Sequence, residues 1–536
     1  MKTILPVILL LCGISLSIFA QTGKDVVQVD TFFQPDNMDD VYTKQLIRFM
    51  EKNSSIRVEQ WAGLSLPRGK SGLMMSLAGN TAPDIGTSWF HVIRNEIKQE
   101  FLYPLNEWIG EDLDGDGEIS DKEAKWAPWK DIPPILRKVA TVNGKVYGLP
   151  LPVKNVVAIM YRTDLVEMAG LDANKPPQTW DEFLYWCRRL TDANKKVSGA
   201  ISQNGQRAFV IPRAGYLFLP WIQSAGGEPI VQIRKSPKTG KEYTFAQNAI
   251  SFITPEGENL SHEPSDWRCN FGSKESLEAL HFLYRLRWEK WVNINGEPMS
   301  VSEAKRRKLE FSEADVVTGI ARTADGRDGS DFDLLARGEV VMLVGMVDDL
   351  KQVGAKANID PALLSWFPFP AAPGPKGRRI VQTQNHYAVM YTGVSKRSKE
   401  ERDAIWKTLN AIVDKGIVRA DVSSKVLEGM SRFVSPSDLK RFGYEEYLKD
   451  IPLAIRNNFD ELESGRVQAL TEPWTGFWFL IDMALNTECL SIMLGTLGEE
   501  FDCQAALLEV NRKANSGLMF ALPESTLAKW RPLALV

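Results

Sequence analysis

The sequence predicts an α/β fold in which strands alternate with helices around doubly wound parallel sheets. Three short apolar runs are typical of buried strands: VVQVDTFF at 26–33, IRVEQWAG at 56–63 and PDIGTSWF at 83–90. Between them, DDVYTKQLIRFMEKN at 39–53 and KSGLMMSLAGN at 70–80 carry apolar residues at helical spacing. Strands that alternate with helices favour a parallel sheet, because each helix carries the chain back so that the next strand runs in the same direction.

Length and composition limit the possible functions. A chain of 536 residues is too long for one ordinary hydrophobic core, so two lobes are expected. The formal net charge of −4 argues against nucleic acid as a partner. The histidines form no H-E-x-x-H motif, so the sequence contains no sign of a metalloprotease.

The amino terminus predicts export. Lys2 precedes the apolar run ILPVILLLCGISLSIFA, which ends at the small residue Ala20 and is followed by polar residues. This pattern is typical of a secretory signal peptide at residues 1–20. Leu11 precedes Cys12, where lipid attachment requires a small residue, so we expect a soluble protein in the periplasm or another extracytoplasmic compartment.

The other cysteines are Cys187, Cys269, Cys489 and Cys503. They are too sparse for a disulfide framework and include no C-x-x-C spacing for zinc or redox chemistry. Cys489 and Cys503 could pair in an oxidising compartment, and the sequence leaves that pairing open.

A twelve-residue acidic stretch, DLDGDGEISDKE at 112–123, has the pattern of an EF-hand calcium loop. Acidic residues fill positions 1, 3, 5 and 12, Gly117 fills the turn at position 6, and position 7 supplies a backbone carbonyl. The predicted ligands are Asp112, Asp114, Asp116, Glu118, Ser120 and Glu123. The alternative is a solvated acidic turn. A single loop without a paired partner favours structural Ca²⁺ over a calcium sensor.

A series of further landmarks extends along most of the chain. They are APDI at 82–85, FLYPLNEW at 101–108, NGKVYGLP at 143–150, MYRTDLVEMAGLDANKPPQTWDEF at 160–183, FLPWIQSAGGE at 218–228, LLARGEVVMLVG at 334–345, FPFPAAPGPKG at 367–377 and EPWTGFWFLIDMAL at 472–485. In this order they resemble the extracellular solute-binding proteins of ABC sugar importers, the group that includes maltose-binding protein.

The resemblance implies a two-lobed periplasmic-binding-protein fold of type II, with a doubly wound sheet in each lobe and a hinged cleft between them. The amino-terminal lobe would contain residues 24–150 and 380–440, and the carboxy-terminal lobe residues 151–379 and 441–536. Three segments are longer than the family pattern needs and are expected to be surface insertions: 109–130 with the calcium loop, 231–267, and 292–330.

The resemblance also implies a sugar site. A sugar needs flat aromatic rings for its C–H faces and polar groups for its hydroxyls. The expected ring-stacking residues are Trp89, Tyr216, Trp474 and Trp478, and the expected polar contacts are Gln34, Asp36, Lys154, Asn155 and Asp348. Val347 stands where the maltose-type pattern has a tryptophan, which argues against maltodextrin. Arg213, together with Lys154, leaves an acidic ligand open.

The function implied is a receptor that binds a sugar or oligosaccharide, delivers it to membrane-embedded ABC permease subunits, acts as a monomer and performs no catalysis. One alternative is a secreted carbohydrate-active hydrolase or lyase, which would need two opposed carboxylates. No G-x-S-x-G elbow, phosphate loop or dinucleotide fingerprint indicates another enzyme class. A second alternative keeps the fold and changes the ligand to a non-sugar solute.

Overall fold

The computed structural model describes residues 26–32, 41–61, 71–79, 81–152, 155–196, 207–211, 215–249, 251–261, 263, 265–323, 331–350, 359–471, 478–495 and 498–521. The predicted signal peptide lies outside these residues. The described part of the chain divides into two compact units. One contains the residues up to Gly86 together with Tyr391–Ile412, and the other contains Thr87–Met390 and the residues from Val413 onward. The lobe boundaries expected from the sequence stay a prediction.

The strands are short, and most are apolar on at least one face. In chain order they are β1 Val27–Thr31, β2 Ile56–Gln60, β3 Ile85–Trp89, β4 Thr141–Val142, β5 Lys145–Val146, β6 Leu149–Pro150, β7 Asn155–Arg162, β8 Arg207–Ile211, β9 Ile230–Lys235, β10 Glu242–Ala246, β11 Ser265–Cys269, β12 Lys290–Ile294, β13 Glu297–Ser300, β14 Val317–Thr318, β15 Ala321–Thr323, β16 Val340–Met346, β17 Leu364–Phe367, β18 Ile380–Gln384, β19 His386–Met390 and β20 Gln468–Thr471.

The α-helices range from one turn to five. In chain order they are α1 Val41–Lys52, α2 Ser71–Ala78, α3 Ile93–Lys98, α4 Asn106–Ile109, α5 Pro134–Ala140, α6 Thr163–Met168, α7 Trp180–Lys196, α8 Leu219–Ser224, α9 Lys274–Trp288, α10 Val301–Arg306, α11 Asp331–Ala336, α12 Lys399–Ile412, α13 Gly416–Leu427, α14 Pro436–Phe442, α15 Leu453–Glu463, α16 Trp478–Leu485, α17 Ser491–Met493 and α18 Cys503–Ala521. Among the described helices, none combines the length and apolarity needed to span a membrane.

The first unit confirms the elements predicted from the amino-terminal pattern. Strand β1 runs parallel to β2 over its full length, and it meets β3 through Thr31 and Ile85. Helix α12 returns late in the chain and packs on α1 and β1. Asp84 holds this returning segment against the strands. Its carboxylate accepts the Asp30 N–H at 3.1 Å, and it pairs with Arg397 of the returning segment through two contacts at 3.1 and 3.2 Å.

The second unit is built on a mixed sheet with the order β15-β8-β16-β7-β18-β20, and β17 also pairs with β7. Strands β15, β8 and β16 are parallel, whereas β7 runs antiparallel to β16, β17 and β18. The core against this sheet is rich in aromatic rings. Phe183 packs against Phe209 and Trp221 at centroid distances of 5.3 and 5.5 Å, and Trp180 stacks on Phe282 at 4.4 Å.

Two of the expected insertions form sheets of their own. In segment 231–267, β9 pairs antiparallel with β10 and β11, and the turn at 236–243 closes through a Ser236 N–H to Lys241 C=O hydrogen bond of 2.9 Å. In segment 292–330, β12 pairs with β13 and β14 around a small core that includes Val292 and Met299. These insertions therefore contribute packed structure as well as length.

The four cysteines of the described chain carry free thiols and are buried. Burial raises the pKa of each thiol, to about 12 for Cys489 and about 11 for Cys503. A thiol that is buried in apolar surroundings is a weak nucleophile.

Candidate functional site

The site is centred on Trp89, the last residue of β3. Its indole is 50% exposed, although a tryptophan of this size is usually covered. One face stacks on the His386 ring, with centroids 5.8 Å apart and planes within 9°, and the edge of His91 approaches at 5.2 Å. The Phe90 N–H donates to the Asn385 C=O at 3.0 Å and fixes the two segments side by side. The ring is thus held rigidly while half of it meets solvent.

Two histidines flank this ring, and the carboxylate of Asp482 interacts electrostatically with one of them, His91. Burial, and then the neighbouring His91, lower the pKa of His386, which keeps that imidazole neutral near pH 7. Burial raises the pKa of Asp482, while hydrogen bonds from backbone N–H groups and the nearby His91 oppose the rise. The site therefore combines neutral and charged hydrogen-bonding groups beside an aromatic surface.

Asp482 connects this group to the second predicted aromatic residue. Its Oδ1 accepts the Tyr216 backbone N–H at 2.7 Å, and His91 lies close enough to lower its pKa. Tyr216 is partly buried against the core of the second unit. The structure therefore links Trp89 and Tyr216, which lie 127 positions apart in the sequence, through His91 and Asp482.

The remaining predicted ligand residues are not joined to this cluster by the described contacts. Gln34, Asp36, Lys154 and Trp474, together with Arg213, lie outside the described residues. Asn155 and Trp478 begin β7 and α16, and their side chains also lie outside the description. Their roles stay predictions.

Asp348 lines a cavity of about 420 Å³ whose lining does not include Trp89. Lys425 of α13 joins Asp348 and Asp421 through contacts of 2.8 and 3.0 Å. Burial alone would lower the pKa of Lys425, but the two carboxylates raise it above its ordinary value. Val347 and Trp366 contribute to the apolar wall of this cavity. A role for Asp348 in ligand binding would thus compete with its ion pair.

Sequence reasoning missed His91, His386 and Asp482. His91 follows Trp89 by two positions, so its proximity could have been inferred from the strand end. His386 opens β19, and Asp482 lies on α16, both far from Trp89 in sequence. Only the fold brings these residues together, and no short sequence motif marks His386 or Asp482 as part of the site.

The acidic loop at 112–123 has geometry that suits a hard cation. Carboxylate oxygens of Asp112, Asp114 and Asp116 lie within 4.8 Å of one another. Oxygens that each bind one Ca²⁺ at about 2.4 Å are at most about 4.8 Å apart, so the three carboxylates fit a common ion. Asp112 accepts N–H groups from Gly115 and Gly117 at 2.8 and 2.9 Å, which shapes the loop.

Glu123 closes the same loop. Its carboxylate accepts the Ser120 hydroxyl at 2.6 Å, the Ser120 N–H at 2.8 Å and the Leu113 N–H at 2.8 Å. These hydrogen bonds, that of the Ser120 hydroxyl first, lower the pKa of Glu123 to about 2. The flanks differ from an EF-hand, because α4 is a single turn and a 3-10 helix at Ala127–Asp131 follows the loop.

The fold is an α/β fold, and part of the chain is similar to a known protein family. Residues 76–253 match the family model described as bacterial extracellular solute-binding protein, which confirms the resemblance drawn from the sequence. No curated protein matches the chain.

Solved structures extend the likeness to almost the whole chain. An ABC transporter solute-binding protein from Thermotoga lettingae bound with α-D-tagatose has a TM-score of 0.55 at 17% identity, over 92% of this chain and 99% of that chain. An ABC substrate-binding protein from Listeria monocytogenes in complex with cycloalternan reaches 0.58 at 15% identity over the same shares. UgpB from Mycobacterium tuberculosis, in complex with glycerophosphocholine, reaches 0.56 at 16% identity over the same shares. These likenesses confirm the expected fold class.

Proposed function

We propose that the protein is an extracytoplasmic receptor that captures a sugar or oligosaccharide and delivers it to the permease of an ABC importer. The match of residues 76–253 to the solute-binding family supports this role, as do sugars bound to proteins of the same fold. Export through the predicted signal peptide, and action as a monomer, belong to the same proposal.

The observation that carries the sugar assignment is the half-exposed Trp89, which is flanked by His386 and His91, with Asp482 interacting electrostatically with His91. The C–H face of a pyranose or furanose packs on an indole, and its hydroxyls donate hydrogen bonds to a carboxylate and exchange them with imidazole groups. An apolar solute would exclude water from these polar groups and offer them no hydroxyl, which disfavours its binding.

The test begins with native mass spectrometry of the purified protein, which detects any sugar carried through purification. Titration calorimetry with tagatose, maltose and cycloalternan follows, and chromatography of the same mixtures after prolonged incubation measures turnover. We expect one of these sugars or a carried-over saccharide to bind and to be recovered intact. A saccharide that is steadily cleaved would establish the hydrolase or lyase alternative instead.

The second candidate function is capture of a non-sugar solute. It is favoured by UgpB, which shares the fold at a TM-score of 0.56 and is described in complex with glycerophosphocholine. Glycerophosphocholine therefore belongs in the calorimetric panel. Binding of that compound without binding of any saccharide would change the ligand assignment and keep the receptor role.

Ca²⁺ is proposed as a structural ion of the acidic loop, separate from the sugar site. The loop is fixed to its surroundings by hydrogen bonds from Gly144 N–H to Gly117 C=O at 2.9 Å and from the Trp129 indole N–H to Ile119 C=O at 2.8 Å. An ion bound there would stabilise a surface connection and contribute no ligand contact.

A further inference from the structure

Two of the segments that exceed the family pattern meet at a group of positive charges. Lys138 of α5 and Arg234 of β9 approach the same aromatic ring, that of Phe252. The Lys138 Nζ lies 4.5 Å from the ring centroid, and the Arg234 guanidinium carbon lies 3.7 Å from it. Glu118 of the acidic loop lies 3.8 Å from the Lys138 Nζ. We call Lys138, Arg234 and Phe252, with Glu118, the junction cluster.

Arg94 adds a third positive charge. Its Nη2 donates to the Lys138 C=O at 2.5 Å, and burial lowers the pKa of Arg94 to about 10. Burial also lowers the pKa of Lys138, with Glu118 opposing the shift and Arg234 and Arg94 adding to it. Arg234 and Arg94 thus act on Lys138 as like charges, against the single carboxylate of Glu118.

The neighbouring carboxylates compensate these cations weakly. The distance of 3.8 Å between Lys138 and Glu118 exceeds the roughly 2.7–2.9 Å of a charge-assisted hydrogen bond, and the Glu118 side chain is 58% exposed. Glu263 also acts on Arg234 electrostatically. An exposed carboxylate at this distance contributes little, because solvent screens it.

Arg234 is the most deeply placed member of the cluster. Its residue is 6% exposed, and its Nη1 donates to the backbone carbonyls of Leu260, Ser261 and Glu263. These acceptors are neutral, so they orient the guanidinium without cancelling its charge. The buried Nε–H has no hydrogen-bond partner among the described residues. A buried donor left in this way is destabilising unless a ligand or water supplies an acceptor.

We propose that the junction cluster is an oxyanion-binding subsite that takes a carboxylate, sulfate or phosphate group against Lys138 and Arg234. The guanidinium supplies a planar set of donors suited to an oxyanion, and the ammonium supplies a second, mobile charge. The group can be a free inorganic anion or the acidic part of a captured solute. The junction cluster is connected to the Trp89 site through Arg94. Arg94 follows His91 by three positions. It also interacts electrostatically with Tyr387, the residue after His386.

The experiment compares the full-length mature protein with Lys138→Met, Lys138→Arg and Lys241→Met. Lys241 is the matched control, because it also lies near the inserted sheet and pairs with one carboxylate, Glu256, at 3.2 Å, but is 59% exposed. Sodium sulfate, trigalacturonate and neutral maltotriose are titrated by calorimetry at low and high sodium chloride, and circular dichroism confirms that each variant is folded.

A charge-assisted contact is worth about 1.5–3 kcal/mol, so Lys138→Met should weaken anion binding on the order of 10- to 100-fold. Lys138→Arg and Lys241→Met should leave it nearly unchanged, and salt should weaken it in the parent protein. A loss seen with sulfate alone identifies a free anion, whereas a loss seen with trigalacturonate identifies an acidic solute.

The proposal is overturned if neither anion binds the parent protein, or if both bind Lys138→Met as tightly as the parent. This failure can be told from failure of the receptor role. If maltotriose or another neutral sugar binds while both anions do not, the subsite is wrong and the receptor role stands.

Discussion

Trp89 is the residue on which sugar capture depends most directly. Replacing it with alanine removes the half-exposed ring and leaves the core aromatic cluster intact. Loss of a stacked ring typically costs about 1–3 kcal/mol, so the dissociation constant should rise roughly 5- to 150-fold. Calorimetry with the sugar identified by mass spectrometry measures this change.

Tyr185→Ala is the control for that substitution, because Tyr185 is 45% exposed on α7, outside the Trp89 cluster. It should leave both affinity and the unfolding midpoint nearly unchanged. Equal losses of affinity in the two variants would show that the effect does not come from the Trp89 site.

His386 gives the site a pH-dependent contribution to stability. Burial and His91 lower its folded-state pKa below 6.5, so the unfolded chain binds a proton first as the pH falls. The free energy of unfolding should therefore decrease as the pH falls from 6.5 through the folded-state pKa. Thermal unfolding from pH 7.5 to pH 5 should show a shallower pH dependence for His386→Gln than for the parent. Parallel curves would mean that His386 titrates as it does in the unfolded chain.

At this scale the sequence indicated the aromatic residues of the candidate site more readily than its polar residues, and the binding role of each stays a prediction. Trp89 was predicted from its place at a strand end and from family landmarks, both of which are local signals. His386 stacks on Trp89 across 297 positions, and Asp482 accepts a hydrogen bond from Tyr216 across 266 positions. Single-sequence patterns contain no measure of such distances. Asp348 illustrates a further difficulty, since its pairing with Lys425 of α13 follows from tertiary packing alone.

Among the elements, the acidic loop makes the sharpest prediction. If Ca²⁺ binds only the folded loop, a hundredfold excess over its dissociation constant should raise the free energy of unfolding by about 2.7 kcal/mol. Glu123→Gln should abolish that increase, because it removes the charged bidentate ligand while keeping one oxygen, which can accept the hydrogen bond of either Leu113 or Ser120. Chemical unfolding with calcium or with a chelator measures the difference.

Glu118→Gln is the matched control within the same loop, since position 7 contributes its backbone carbonyl and the Glu118 side chain lies toward Lys138. The calcium response should persist in this variant. If chelation abolishes sugar binding while the protein stays folded, the ion has a role beyond the structural one.

The element pattern was predictable where apolar periodicity was regular, as in β1, α1, β2, α2 and β3. The inserted sheets were harder to predict. Segment 231–267 reads as a long connection, and only its turn at 236–243 has a local signature. Its three strands are stabilised by pairing with one another, and β9 is buried by residues distant in sequence.

At the scale of the whole chain, one ion pair joins segments more than 300 positions apart. Asp84 is buried and binds Arg397 of the returning segment within the first compact unit. Asp84→Ala removes the acceptor of the Asp30 N–H and leaves Arg397 partly uncompensated, so the free energy of unfolding should fall by about 1–3 kcal/mol. Urea unfolding of the mature protein measures the loss.

Glu401→Gln tests whether burial causes the effect. Glu401 pairs with the same Arg397 at 3.1 Å but is 34% exposed, and a pair of that kind is worth about 0–1 kcal/mol. Sugar affinity should be unchanged in both variants once the folded fraction is taken into account. A larger loss for Glu401→Gln than for Asp84→Ala would contradict this account.

The buried cysteines make this chain suitable as a fluorescent reporter. Since the four described thiols are buried and have raised pKa values, a maleimide dye at neutral pH should react with them very slowly. A single cysteine introduced at an exposed position near Trp89 would then be the preferred attachment point, without removal of any native thiol. A dye placed there would signal solute capture directly, and the same labelled protein could be used to screen compound collections for the natural ligand.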